Sequence, residues 1–516
     1  MTTVAEGLLP DYETLASVVE RRAAERPDQA WVVDADSGRE FTFAELLDAC
    51  RRIAALLEQH GVGPGDRVAV LSENSLEEAV LHVAVMRYGV VLCPVNTTVG
   101  EKNLEHVLAT VAPRLVFVNA GHTVHEQLAA LPDGVSRVEY GAHDDAFFVP
   151  DAAGLAPTDR VLDVDRRDRS LVIFTSGTTG TPKGVVHTFE SYFYMGWAGA
   201  ELNDLRPDDR ILEFRALTWL SPQGLSLAAT LLAGATLVLA RTFSRSRYFA
   251  WVVDHRITVA VSVPTAINML LAEPVEFSGA DHPHLRHLTS STAALSLERQ
   301  LEFEARYGVE ILTMYGMSEA GWMAGNRAGH RRLGTVGFPT ASQRLRIEVE
   351  GRAVPPGSEG EIVTGGPQAA WGYVVRPGVE EPLEDREAIH TGDLGVVEDG
   401  YLTIVGRAKD IIIRGGVNIA PAEINEALCK HPAIRDAATV GVLDPIYGEE
   451  VVSFVSLREP TSAADLLKHC ASVVSAYKLP REIVVVEDLP YTDRGKVRLD
   501  DLRTLYSERQ SEEVST

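Results

Sequence analysis

Residues 174–184, FTSGTTGTPKG, follow a short apolar run (Leu171, Val172, Ile173) with glycines, Ser/Thr hydroxyls and one lysine. That composition suits phosphate: glycines let backbone N–H groups come close, and hydroxyls donate hydrogen bonds. It is not a Walker A loop, G-x-x-x-x-G-K-[ST]. Lys183 follows Pro182 rather than glycine, and Gly184 stands where the magnesium-binding Ser/Thr is required. Thr175, Ser176, Gly177, Thr178, Thr179, Gly180 and Lys183 are therefore candidate phosphate ligands of another kind.

Four further stretches carry chemistry-capable residues. MYGMSEAG (314–321) sets Tyr315, Gly316, Met317, Ser318 and Glu319 in a row. A tyrosine face can stack on a purine, a serine can donate to a phosphate, and a glutamate can hold Mg²⁺. HTGDLG (390–395) places Asp393 between glycines, where a carboxylate can accept ribose hydroxyls. GRAKDIIIRGG (406–416) supplies Arg407, Lys409, Gly415 and Gly416, and LPYTDRGKVRL (489–499) puts Lys496 behind a glycine. Taken singly, each has an ordinary reading: a flexible loop, a strand end with a satisfied Glu, a turn-forming Asp, a solvated Lys.

The elements that must position these residues alternate between strand and helix. Strands are expected at 67–71, 90–94, 115–118, 171–175, 235–240, 259–263 and 310–313. Helices are expected around Val18, Val19 and Ala23, and at 76–88, 248–255 and 266–271. Such alternation implies largely parallel sheets with helices on their faces. From 345 to 405 short strands lie between Gly/Pro turns, a small β subdomain. Beyond 406 a compact α+β segment follows, with a helix at 422–430 and strands at 437–442 and 451–457. The fold class expected is α/β: a large N-terminal domain of doubly wound mixed sheets with a small β subdomain, and a small mobile α+β C-terminal domain. The boundaries are 1–405, a hinge at 406–410, and 411–516, with SERQSEEVST as a mobile tail.

Composition narrows the partners. The 516 residues carry 48 Lys+Arg against 73 Asp+Glu, a net charge of −25, which disfavours nucleic acid and anionic membrane surfaces. Cys50, Cys93, Cys429 and Cys470 lack C-x-x-C spacing, so neither a zinc site nor a disulfide framework is expected. The first residues show neither a basic segment nor an apolar core of a signal peptide. The apolar stretch 225–240 is shorter than a membrane span and reads as a buried helix turning into a strand. A cytoplasmic protein acting on small molecules is the expectation.

In their order along nearly the whole chain, the five motifs resemble the adenylate-forming superfamily of acyl-CoA synthetases, luciferases and nonribosomal adenylation domains. The resemblance implies ATP, Mg²⁺ and CoA as the small molecules, and an AMP-forming acid–thiol ligase as the activity. Residues 175–184 would be the mobile phosphate loop, with Thr178 and Thr179 on the ATP phosphates. Tyr315 would stack on adenine, with Gly316, Thr292 and Ala293 also at the nucleotide. Ser318 would lie near the α-phosphate, Glu319 would hold magnesium, and Asp393 and Arg407 the ribose. Lys496 would bridge carboxylate, ribose and α-phosphate, and Lys409 would be the hinge. Catalysis would fall to Lys496, Glu319 and Thr179, while Gly415 and Gly416 would line a pantetheine tunnel. His187, after the loop, is read as structural and left outside the site.

The chain departs from that pattern at the acyl pocket. Many relatives have SGGAPLS or SGSAPLS where this chain has SSTAALS (290–296), so Ser291 and Thr292 replace small residues. A gating "PLFH" is replaced by RALTWLSPQG (215–224), offering Trp219 or Ser221. With Met317, these residues would shape a narrow, polar pocket for a small or polar acid. The tryptophan of "FxDGWFHTGDL" is also missing from LEDREAIHTGD, with no functional consequence assigned. The alternative keeps adenylation but changes the acceptor to a carrier protein or an amine, or activates a small inorganic acid such as nitrite for N–N bond formation. A catalytically dead nucleotide-binding regulator is the third reading, opposed by the intact Lys183, Glu319, Asp393 and Lys496.

Overall fold

The computed structural model describes residues 9–97, 101–120, 135–141, 147–175, 183–415, 417–492 and 496–515. Two mixed sheets form the large unit. One runs edge to edge as Val379–Pro382, Gly372–Arg376, Lys183–Thr188, Arg169–Thr175, Val91–Asn96, Arg67–Ser72, Leu115–Asn119 and Ser136–Tyr140. The other runs Phe338–Pro339, Gly321–Gly325, Ile311–Met317, His287–Ser290, Val259–Ser262, Arg210–Glu213, Thr236–Leu239, Ala30–Asp34 and Glu40–Thr42. The inner strands pair in parallel, as does the edge strand Ser136–Tyr140, and the other edges are antiparallel.

Helices from the first half of the chain fill the space between these sheets. The helix Leu76–Tyr88 is buried at every position, so it has no solvent face and no amphipathic stripe. Ser75 caps its start through a hydroxyl that accepts from the Glu78 N–H, and Gly89 at φ +104° ends it. One continuous apolar core joins Val32, Ile211 and Leu237 of one sheet to Val68, Leu92 and Leu171 of the other.

A five-stranded antiparallel sheet, Arg352–Ala353, Arg346–Val349, Gly360–Thr364, Ile389–Glu398 and Tyr401–Arg407, lies beside the second sheet. Its core shares Ala324 and Tyr315 with that sheet. The small C-terminal unit is a sheet of Val417–Ile419, Ile412–Arg414, Gly448–Leu457 and Ile434–Asp444, with Glu482–Val486 added parallel. Helices Pro421–Cys429 and Ala463–Val473 cover one face, and Leu499–Ser515 packs on the other. The α/β class with a large first and a small second domain is thus correct.

One expectation fails. The stretch expected as a tail is helical as far as Ser515: the helix Leu499–Ser515 is anchored earlier by buried Leu502 and Tyr506. All four cysteines are free thiols. No helix among the described residues is long and apolar enough to cross a membrane. The 225–240 stretch is a buried helical turn, Gly234 at φ +74°, then the strand Thr236–Leu239.

Candidate active site

The C-terminal ends of parallel strands in an open α/β sheet are where ligands are received. Here the strands Arg210–Glu213, His287–Ser290 and Ile311–Met317 end together, because the first and second of these flank Val259–Ser262 and Ser290 is registered with Thr313. The third runs on into an antiparallel hairpin with Gly321–Gly325. MYGMSEAG is therefore a hairpin tip rather than a segment following a strand. Ala320 N–H closes the turn on the Met317 carbonyl, and Gly321 follows at φ +74°. A Cβ at Gly321 would stand 2.5 Å from the Gln368 side-chain oxygen, so both the φ and the space call for glycine.

Three of the expected nucleotide residues meet at this tip. Asp393 and Arg407 are opposite one another on paired strands, and Arg407 Nε donates to Asp393 Oδ1 at 2.7 Å. Tyr315 Oη donates to Asp393 Oδ2 at 2.6 Å. Burial, reinforced by the Asp393 charge, raises the Tyr315 phenol well above its ordinary pKa, so it stays a donor. Each Asp393 oxygen has a second lone pair, which leaves the carboxylate able to accept ribose hydroxyls.

Glu319 and Ser318 are held from below. Tyr373 Oη, on the strand Gly372–Arg376, donates to Glu319 Oε1 at 3.0 Å. His187 Nε2 lies 2.9 Å from the Ser318 carbonyl and Nδ1 3.2 Å from the Ser191 hydroxyl. A carbonyl only accepts, so Nε2 carries the proton. Burial drops His187 to about pKa 4, which keeps it neutral in that tautomer.

On the side expected to receive the acid, Arg215 is buried after Arg210–Glu213. Its Nε donates to Glu213 Oε1 at 3.0 Å, Nη2 to Glu213 Oε2 at 2.7 Å, and Nη1 to the Ser291 hydroxyl at 3.0 Å. Trp219 and Ser221 are half-buried at the short helix Leu220–Pro222, and Met317 is half-buried at the hairpin. Thr292 stands in the left-handed region at φ +80°. Ala293 is half-buried beside it, and Gly316 is exposed, with a hypothetical Cβ 2.5 Å from the Gly321 carbonyl.

The chain matches the AMP-binding enzyme family over residues 19–374 and that family's C-terminal domain over residues 423–496. The chain belongs to the AMP-binding enzyme family. It is an AMP-forming ligase. Sulfoacetate–CoA ligase of Cupriavidus necator is 34% identical over 508 residues, covering 94% of this chain and 97% of that protein. Feruloyl-CoA synthase of Amycolatopsis is 32% identical, covering 90% and 94%. ATP-bound MatB from Rhodopseudomonas palustris superposes with a TM-score of 0.86 at 27% identity, over 95% of this chain and 99% of that one.

Within this family framework the remaining candidates fall in separate places. Thr175 and Lys183 are cross-strand partners on antiparallel strands, so the segment they flank joins strand to strand, whereas a Walker A loop opens a helix. Ser176, Gly177, Thr178, Thr179, Gly180 and Gly416 lie outside the described residues. Lys409 is exposed in the short turn Ala408–Asp410 between the two units. Gly415, at φ +58°, makes the turn between Ile412–Arg414 and Val417–Ile419, its N–H on the Tyr447 carbonyl at 2.8 Å. Lys496 is exposed on the C-terminal unit, its N–H on the Thr492 hydroxyl at 3.1 Å.

Sequence reasoning missed Tyr373 and Arg215, and it set His187 aside although the histidine supports the Ser318 carbonyl. Tyr373 sits in a stretch with no motif, and Arg215 opens RALTWLSPQG, which was read only for Trp219 and Ser221. His187 was visible by its place after the loop, but its partner lies 131 positions away. For magnesium, Glu319 is a single carboxylate oriented by a hydroxyl. That donor set fits Mg²⁺, which keeps waters and takes most other ligands from substrate phosphates.

Proposed function

We propose that this protein is an acyl-CoA synthetase: it activates a small or polar carboxylic acid with ATP and passes the acyl group to CoA. The observation that carries the reading is the convergence of Tyr315, Asp393 and Arg407, from three strands, into one hydrogen-bonded group beside Glu319. The CoA ligase activity named for the similar proteins supports the acceptor.

In the first half-reaction the acid's carboxylate oxygen attacks the α-phosphorus. A new O–P bond forms and the bond to pyrophosphate breaks. The carboxylate and the phosphates repel, and charge builds on the leaving oxygens, so catalysis rests on alignment and on cationic donors. Tyr315, Asp393 and Arg407 would fix adenine and ribose, Ser318 would lie near the α-phosphate, and Thr178, Thr179 and Lys183 would serve the outer phosphates. Lys496 would hold the attacking carboxylate and the α-phosphate together. Glu319 would hold Mg²⁺, which neutralises phosphate charge when bound.

In the second half-reaction the CoA thiolate attacks the acyl carbon, the C–S bond forms and AMP leaves. Residues 1–405 would be the adenylation core, 406–410 the hinge with Lys409 at its pivot, and 411–516 the lid. Gly415 and Gly416 would line the path of the thiol arm.

Acid-dependent pyrophosphate exchange, followed by CoA-dependent AMP release, tests this reading. Lys496→Ala should lower the exchange by about 10²–10³, as loss of one charged donor typically does. Unchanged exchange in that variant would refute the role of Lys496. AMP release indifferent to CoA would refute the acceptor in favour of a carrier protein, an amine or nitrite.

A further inference from the structure

Three observations at the acyl end of the site go beyond a small pocket. The first is Thr292. Of the six non-glycine residues with positive φ among the described residues, five lie between +46° and +50°, whereas Thr292 stands at +80°. It is also the one β-branched residue of the six, the type least tolerant of this conformation. Backbone strain of this kind persists where the surroundings enforce it, and it concentrates at functional sites. Its hydroxyl is buried and has no hydrogen-bond partner among the described residues.

The second is Arg215. A guanidinium has five N–H groups, and three are accounted for by Glu213 and Ser291. One N–H on each of Nη1 and Nη2 has no partner among the described residues, although the side chain is only 1% exposed. Glu213 balances the charge of this arginine, and its oxygens also accept the N–H groups of Phe214 and Arg215 and the Ser226 hydroxyl. The two spare N–H groups are thus donors without an acceptor among the described residues. The third is a pair of further hydroxyls, Thr218 and Ser290, 5% and 2% exposed and likewise unpartnered among the described residues.

These groups are placed together by the sheet. Thr218 and Arg215 lie on the loop after Arg210–Glu213, and Ser290 and Thr292 at the end of His287–Ser290. The Arg215–Ser291 hydrogen bond ties the two loops across the intervening strand. Ser290 is registered with Thr313, two positions before Tyr315, so the group borders the nucleotide tyrosine. Buried donors without acceptors are costly, and a site built this way rejects ligands that cannot satisfy it.

We propose that this cluster is an anion subsite, and that the acid activated here is a short one bearing a second anionic group on the carbon next to its carboxylate. The second group, a carboxylate or sulfonate, accepts the spare Nη1 and Nη2 protons of Arg215 and the hydroxyl of Thr292. The Thr292 side chain, held inward by the strained backbone, closes the pocket to longer chains. This rests on the adenylation reading above and specifies its acid.

The test is acid-dependent pyrophosphate release by the full chain, measured without CoA. Malonate and sulfoacetate are compared with propionate, benzoate and octanoate. The expected result is kcat/KM at least about tenfold higher for the two dianions than for propionate, with octanoate inactive. Thr292→Gly relieves the strained φ, so it should fold at least as stably as the parent. It should narrow the dianion-to-propionate ratio about tenfold and admit benzoate. Arg215→Lys should raise KM for the dianions at least about tenfold more than it raises KM for propionate. A loss shared equally by both acid classes would be that of a purely structural Glu213–Arg215 pair and would overturn the assignment. So would a parent enzyme that prefers propionate or octanoate. If no acid of either class releases pyrophosphate, the adenylation reading falls, and this inference with it.

Discussion

At the residue scale, Glu319, the carboxylate proposed to hold Mg²⁺, is hydrogen-bonded by a tyrosine that carries no motif. Tyr373 approaches Glu319 from a different sheet, and its phenol is raised by burial and by the Glu319 charge, so it remains a donor throughout the working pH range. Tyr373→Phe removes one neutral-to-charged hydrogen bond and leaves the ring's packing intact. About 1.5–3 kcal/mol attaches to such a bond, most of it in the orientation of Glu319. The variant should therefore need about tenfold more Mg²⁺ for half-maximal pyrophosphate release, with melting temperature nearly unchanged. An unaltered Mg²⁺ dependence would show that Glu319 is oriented without Tyr373. The case also explains what the sequence concealed. Tyr315, Glu319, Asp393 and Arg407 were legible because each sits in a short stretch dense with glycine and polar residues. Tyr373, Arg215 and His187 reach Glu319, Ser291 and the Ser318 carbonyl, partners that only folding brings near. Asp393 and Arg407 are intermediate: both were visible as residues, but their cross-strand pairing needed the register.

At the element scale, the helix Leu76–Tyr88 was legible to its end residues, because Ser75, Gly89 and an apolar run define it. The expected parallel strands were similarly plain, being continuous apolar runs buried on both faces, but Ala30–Asp34, Ser136–Tyr140, Arg210–Glu213 and His287–Ser290, short runs mixed with charged and polar residues, were not anticipated. The C-terminal helix was not, because its polar sequence has no apolar stripe in its last turns, and Leu502 and Tyr506 anchor only its first half. What the helix Leu76–Tyr88 hides is a buried polar group. Both Glu78 carboxyl oxygens lack hydrogen-bond partners among the described residues, and burial, with the Glu73 charge adding to it, raises its pKa to about 7. His82 is 3.5 Å away, lowered by burial to about 3, with Nδ1 accepting from Gln223. The two groups pull stability in opposite directions. Glu78, protonated more easily in the fold than in the unfolded chain, contributes stability that is complete below about pH 4 and is lost as pH rises through about 7. His82, neutral in the fold, contributes stability present above about pH 6.5 and lost as pH falls. Glu78→Gln removes only the first term. Its melting temperature relative to the parent should therefore climb between pH 5 and pH 8, by several degrees over that span, with Tyr140, Glu73 and His82 unchanged beside it. A difference that stays flat across that range would mean that Glu78 is already ionised in the fold.

At the scale of the whole molecule, the two units touch through few polar contacts among the described residues. Arg299, on the helix Leu297–Tyr307, donates through Nη2 to the Arg435 carbonyl at 2.6 Å. Arg458 of the C-terminal unit pairs with Glu302 of the same helix at 3.4 Å. Glu302 also accepts from Arg299 at 2.8 Å, so the small unit is held by a three-membered arrangement on a helix that begins directly after SSTAALS. A contact of this size biases one orientation of the C-terminal unit without locking it. Partly exposed ion pairs contribute about 0–1 kcal/mol, a factor of at most about five in an orientational equilibrium. If the unit pivots at Lys409 between two half-reactions, Arg458→Ala weakens the orientation seen here and favours the other. The rates of pyrophosphate release and of CoA-dependent AMP release should then move in opposite directions, each by no more than about fivefold, while melting temperature stays within a degree or two. Glu302→Ala should move both rates the same way as Arg458→Ala, since it removes the other half of the pair. Rates that fall together would tie these residues to stability rather than to orientation. Rates that stay put would place the pivot's control elsewhere, with the Arg299–Arg435 hydrogen bond sufficient to hold the unit.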